Sequence, residues 1–214
     1  MEVEFNHKAI AWQRLPRGEV LGIVASNLVT LAVALWKDWP LAWLVWPYWL
    51  QSATIGVLHW RRIRALRHFS TEGFTSNGVP VPETDAAKRQ TALFFALHFG
   101  LFHLVYLMFL AGMGLPPLGD WTWIALGAAS ILFWELREHR RHLAQDAAGR
   151  PNLGAMMFLP YVRILPMHLT ILFGSAMHGG SVLLFGLLKT AADVASAALD
   201  TALSRRVIGT ASTR

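Results

Sequence analysis

The side chains that could do chemistry in this chain sit inside stretches where charge is costly. Gln90 to Leu115 reads QTALFFALHFGLFHLVYLMFLAGMGL, without a charged residue, and holds His98 and His103. Met157 to Met177 holds His168, and Gly180 to Leu203 holds Lys189 and Asp193. Each stretch reaches the roughly 20 apolar residues that cross a bilayer core. A charged group at that depth costs about 2.5 kcal/mol or more, so it turns toward protein or a cavity. Imidazole is the commonest metal-binding side chain and suits Zn, Cu or Fe, and the chain offers no cysteine in competition. His103 and His168 could be the axial pair of a haem b, or could join His98 around one transition-metal ion. The step from His98 to His103 turns about 140° around a helix, so the two do not share a face. The plainer alternative gives each imidazole a carbonyl or hydroxyl partner, with Tyr106, Thr170 and Ser175 as candidates.

Lys189 and Asp193 stand i, i+4, which allows an internal ion pair that fixes helix register or a relay for protons or ions. Gln51 and Ser52 could complete hydrogen bonds inside a bundle. Glu135 and Arg163 fall near the cytoplasmic ends of their stretches, where an interfacial role suffices and Arg163 can snorkel or hold a lipid phosphate. There is no HExxH, no phosphate-cradling glycine loop and no GxSxG, so no complete catalytic motif is present. Ser175 or Ser130 with His178 is the one nucleophile-and-base combination to weigh, against the packing role that small residues usually play in membrane helices.

These groups need helices to carry them. Of the 214 residues 54% are hydrophobic and 15% charged, against about 25% charged in a soluble domain. The sequence predicts an all-α polytopic membrane helix bundle of about six spans: 20–36, 41–60, 90–115, 121–136, 157–177 and 181–203. Residues 1–19 form a cytoplasmic or interfacial segment, 20–204 the helix-bundle domain and 205–214 a cytoplasmic tail. Residues 69–87 and 144–152 read as loops, and the last two spans could merge into one helix. At about 1.5 Å per residue through a core of about 30 Å, His98, His103, His168, Lys189 and Asp193 share a central slab roughly 10–20 Å above the cytoplasmic face. His178 lies near the outer surface.

The net charge of +6 comes from short basic runs beside apolar stretches, such as Arg61 to Arg67, which is a membrane pattern rather than a nucleic-acid one. With both termini inside, only Lys37 faces out, and Arg163 and Lys189 lie within spans. The expected setting is therefore the bacterial inner membrane, multi-pass, N-in and C-in. The polar start of the chain offers no signal-peptide cleavage site. The lipid bilayer is the expected partner, with a homo-oligomer or a larger membrane complex as further possibilities and no nucleic acid.

Two resemblances follow from short motifs. His98-Phe99-Gly100-Leu101-Phe102-His103 and Ala176-Met177-His178-Gly179-Gly180 resemble the histidine-bearing helices of rhomboid intramembrane proteases. The GxSG nucleophile motif is missing, and Gly127-Ala128-Ala129-Ser130 lacks the trailing glycine, so this resemblance implies a rhomboid-like fold without protease activity. Over about residues 20 to 200 the chain also resembles an uncharacterised family of bacterial integral membrane proteins, a domain of unknown function. That likeness is carried by Tyr48-Trp49-Leu50, Ile55-Gly56, the third span, Arg163 to Gly174, and Leu188-Lys189 with Asp193. It implies a membrane bundle and no particular activity.

Overall fold

A computed structural model describes residues 17–173 and 181–211, with side chains over 18–169 and 182–201. The described chain is helical: α1 (Arg17–Trp36), α2 (Leu41–Ala65), α3 (Asp85–Gly112), α4 (Trp121–Ala148), α5 (Leu153–Phe173) and α6 (Ser181–Ala211). Among the described residues, Gly18–Trp36, Asp85–Gly112 and Val182–Thr201 are long and apolar enough to cross a membrane, and Leu153–Leu169 is a shorter apolar helix.

Local chemistry sets the boundaries. Pro40, with extended backbone angles, opens α2. Thr84 caps α3 by accepting from the Ala87 N–H, and Asp85 sits in the favourable first turn. That cap starts the helix ahead of the apolar run that announces it. At its other end Gly114 adopts a φ of 109°, open to glycine and strained for other residues, before Pro116 and Pro117 stop any continuation. Past its apolar part α4 continues to Ala148, so the loop expected over 144–152 shrinks to 149–152. The Asn152 side chain then caps α5 through the Ala155 N–H at 2.9 Å. The expected loop over 69–87 holds a hairpin, β1 (Thr75–Ser76) against β2 (Val79–Pro80). Its tip is Asn77-Gly78, both at positive φ, the dipeptide a tight two-residue turn demands. α5 is described to Phe173 and α6 from Ser181, and residues 174–180 between them lie outside the described residues.

The bundle has two distinct ends. At the tryptophan end, Trp39 Nε1–H donates to Asp120 at 3.1 Å, Lys37 pairs with the same carboxylate, and Trp46 and Trp121 meet edge to face. At the hairpin end, Ser70 bridges to Asn152 and Arg150 donates to the Phe69 carbonyl, tying the 66–84 connector to the α4–α5 junction. Between the ends the helices pack closely. A Cβ added to Gly56 would come within 2.5 Å of the Phe99 ring, so α2 and α3 approach through that glycine.

The polarity pattern is inverted relative to a water-soluble bundle. Leu93, Phe94, Leu97, Leu101, Leu104 and Met108 of α3 are exposed, while Asn27, Gln51, Arg62, Lys189 and Asp193 are buried. An apolar exterior around charged interior side chains suits a lipid surround.

Candidate functional site

Asp193 sits at the centre of the interior and is 0% exposed. Its Oδ2 accepts from Asn27 Nδ2 at 3.1 Å and from Gln51 Nε2 at 3.4 Å. Its Oδ1 lies 2.5 Å from Lys189 Nζ and 3.5 Å from Arg163 Nε. Gln51 also donates to Glu135 at 3.0 Å, and Arg163 closes the circuit on Glu135 at 2.9 Å. Five helices, all except α3, thus contribute to one cluster, with the Lys189 ammonium over the Tyr48 ring at 5.4 Å. Two cations face two carboxylates, so the cluster is neutral, which is the condition for burying charge at tolerable cost. Glu135 and Arg163, expected at the membrane edge, are turned inward because each finds its counter-charge there. Asn27 Oδ1 and Gln51 Oε1 keep no hydrogen-bond partner, and buried acceptors of this kind are normally met by water.

A second cluster lies toward the hairpin end. Arg62 grips Asp146 with two bonds, at 2.8 and 3.0 Å, and reaches Asp200 with a third at 3.0 Å. Burial works against the Arg62 charge, but Asp200 and Asp146 more than restore it, so the guanidinium stays protonated. His142 Nδ1 lies 2.9 Å from the same Asp200 oxygen. Beside it Arg141 bridges Glu19 of α1 and Glu138 of α4. Burial pushes the Glu138 carboxyl above its ordinary value, Glu19 adds to the push, and Arg141 opposes it. His139 is held below its ordinary value by burial first and then by Arg62 and Arg61.

Between the clusters runs a cavity of about 60 Å³ whose wall includes Glu135 and Arg163 from the first and Arg62, Asp200 and His142 from the second. That volume holds a few water molecules.

The three histidines singled out by depth occupy a different face, between α3 and α5. His103 donates from Nδ1 to the Phe99 carbonyl at 2.8 Å, which leaves Nε2 to accept from the Ser52 hydroxyl, also at 2.8 Å. His168 Nδ1 meets the Tyr106 hydroxyl, and His98 Nδ1 the Tyr161 hydroxyl, each at 2.8 Å. His103 and His168 flank the Tyr106 ring, with centroids 5.8 and 5.9 Å from it. Among the described residues, the trio of metal-binding side chains whose ligand atoms lie within 4.8 Å of one another is Glu19, Glu138 and His142. Ser130 donates to the Gly127 carbonyl at 2.8 Å; Ser175 and His178 lie outside the described residues.

Depth along the sequence does not single out Arg62, Asp146 and Asp200. A signal was available in α6, where Lys189, Asp193, Ser196 and Asp200, all buried, recur at steps of four, three and four, a single helical stripe.

Residues 10–210 match the family of unknown function DUF6498, and the chain belongs to it. Neither a curated protein nor a solved structure matches the chain.

Proposed function

We propose that this protein is a multi-pass protein of the bacterial inner membrane that moves protons or ions through its interior, as a coupled carrier or as a subunit of one. In this reading all six helices span the bilayer between a cytoplasmic segment, 1–19, and a cytoplasmic tail, 205–214, with the hairpin end inside. The observation that carries it is the burial of Lys189 and Asp193, 2% and 0% exposed, in a helix long and apolar enough to cross a membrane. Charges at membrane depth ordinarily mark a pathway. Here Asp193 connects through Arg163 and Glu135 to a water-sized cavity, which opens on the Arg62–Asp200 cluster. Unpartnered acceptors on Asn27 and Gln51 give water a place to enter beside the hub. A proton arriving on Asp193 or Glu135 would release Lys189 or Arg163 from its partner, and that exchange is the elementary step of a relay.

The test is proton entry into proteoliposomes holding a pH-sensitive dye, driven by a potassium diffusion potential. Wild-type protein should exceed protein-free vesicles, and Asp193→Asn should lose at least tenfold of the excess while Lys37→Ala keeps it. A wild-type rate equal to that of empty vesicles would sink the relay.

A second reading places a metal ion or haem b on His103 and His168, with His98 as a third ligand. It is favoured by the contiguity of His103, Tyr106 and His168, and it requires these imidazoles to give up bonds to Ser52 and the tyrosines. A Soret band or stoichiometric metal lost in both His103→Ala and His168→Ala would support it.

A further inference from the structure

The geometry points to a divalent transition-metal site at the hairpin end, formed by Glu19, Glu138 and His142 and separate from the membrane-depth histidines. Glu138 and His142 stand i, i+4 on α4 and so share a face; Glu19 in the first turn of α1 meets them across the helix pair. One ligand atom of each lies within 4.8 Å of the others, close enough for modest side-chain rotation to bring all three to a metal at about 2.0–2.2 Å. Three further observations point to a cation. His59 is 9% exposed and lines the same cavity, and its Nε2 has no hydrogen-bond partner, so an unpartnered imidazole nitrogen is held in a buried wall beside the trio. Asp200 lies 2.9 Å from His142 Nδ1, and Arg62 holds Asp200 in turn.

Charge makes the same demand. Four carboxyl groups (Glu19, Glu138, Asp146, Asp200) face two guanidiniums (Arg62, Arg141), two acids more than fixed cations. One divalent cation supplies what is missing. Arg141 contacts one oxygen of Glu19 and one of Glu138, and a carboxylate has lone pairs enough to serve a guanidinium and a metal together. Two oxygen ligands, one or two imidazoles and no thiolate describe Zn²⁺, Mn²⁺ or Fe²⁺. The inference does not rest on the relay.

The experiment titrates chelator-treated full-length protein in detergent with Zn²⁺ and counts bound metal after desalting. Wild-type protein should bind one equivalent. His142→Ala and Glu138→Gln should each weaken binding at least tenfold. His68→Ala, an exposed histidine outside the cluster, should bind as wild type, and so should His103→Ala, which separates this site from the membrane-depth one. Wild-type affinity in His142→Ala and Glu138→Gln, or no stoichiometric Zn²⁺ in the wild type, would overturn the assignment. A measurement on the wild type alone covers the case in which those variants fail to fold. X-ray absorption of the Zn-loaded protein should give an oxygen and nitrogen shell with imidazole scattering, and a shell of oxygens alone overturns the site.

Discussion

In the middle of the bundle two cations, Lys189 and Arg163, face two carboxylates, Asp193 and Glu135. At the hairpin end four carboxylates share two guanidiniums, and the imidazoles of His59 and His139 keep unpartnered nitrogens. The same residue types therefore behave differently. The first group is complete, and any added or removed proton unbalances it. The second is short of positive charge and has ligands to spare. Burial alone does not make a functional site; whether the charges close on one another decides what the site can accept.

The largest expected effect breaks the closed group. Asp193→Ala leaves Lys189 and Arg163 facing Glu135 alone and should cost about 3–5 kcal/mol, the usual penalty for removing one partner of a buried pair. Unfolding in mixed micelles would measure it. Replacing both partners, Lys189→Met with Asp193→Leu, should recover most of that loss, because the Arg163–Glu135 pair remains matched. Equal losses in the single and double variants would show that charge balance does not govern this region.

A smaller effect tests whether the two groups are independent. Zn²⁺ at one hundred times its dissociation constant should stabilise the wild-type protein by about 2.7 kcal/mol. Asp193→Ala should gain the same increment, since the metal ligands contact the other group. An increment that vanishes in Asp193→Ala would mean that the cavity between them transmits a change from one to the other.

The smallest effect is at the tryptophan end. Lys37 pairs with Asp120, but its side chain is 32% exposed, and exposed pairs contribute at most about 1 kcal/mol. Thermal unfolding of Lys37→Ala should show no more than that. A loss like that of Asp193→Ala would remove burial as the distinguishing variable.

Most of the helical framework was legible in the sequence, because uninterrupted apolar runs closed by proline or basic clusters leave few other structures. The start of α3 was less legible, since Thr84 and Asp85 signal a helix by capping rather than by hydrophobicity. The hairpin is hard to read although Asn77-Gly78 is its standard turn, because the surrounding Ser, Thr and Pro look like loop. Depth along a helix puts Glu135 and Arg163 near its end but says nothing about which way their side chains face. Arg62 with Asp146 and Asp200 was invisible for a different reason. The partners lie 84 and 138 residues away, and one sequence carries no record of such distant pairing.

That separation has a consequence for how the chain is made. Ribosomes add about 5–20 residues per second, so Asp146 emerges several seconds after Arg62 and Asp200 later still, on the order of ten seconds in all. Until Asp146 emerges Arg62 has neither carboxylate to hold, and until Asp200 follows it has one of the two. The contacts of Arg62 at the hairpin end are complete only once α6 has been delivered. The completion of that cluster is thus timed by α6, the last of the described helices.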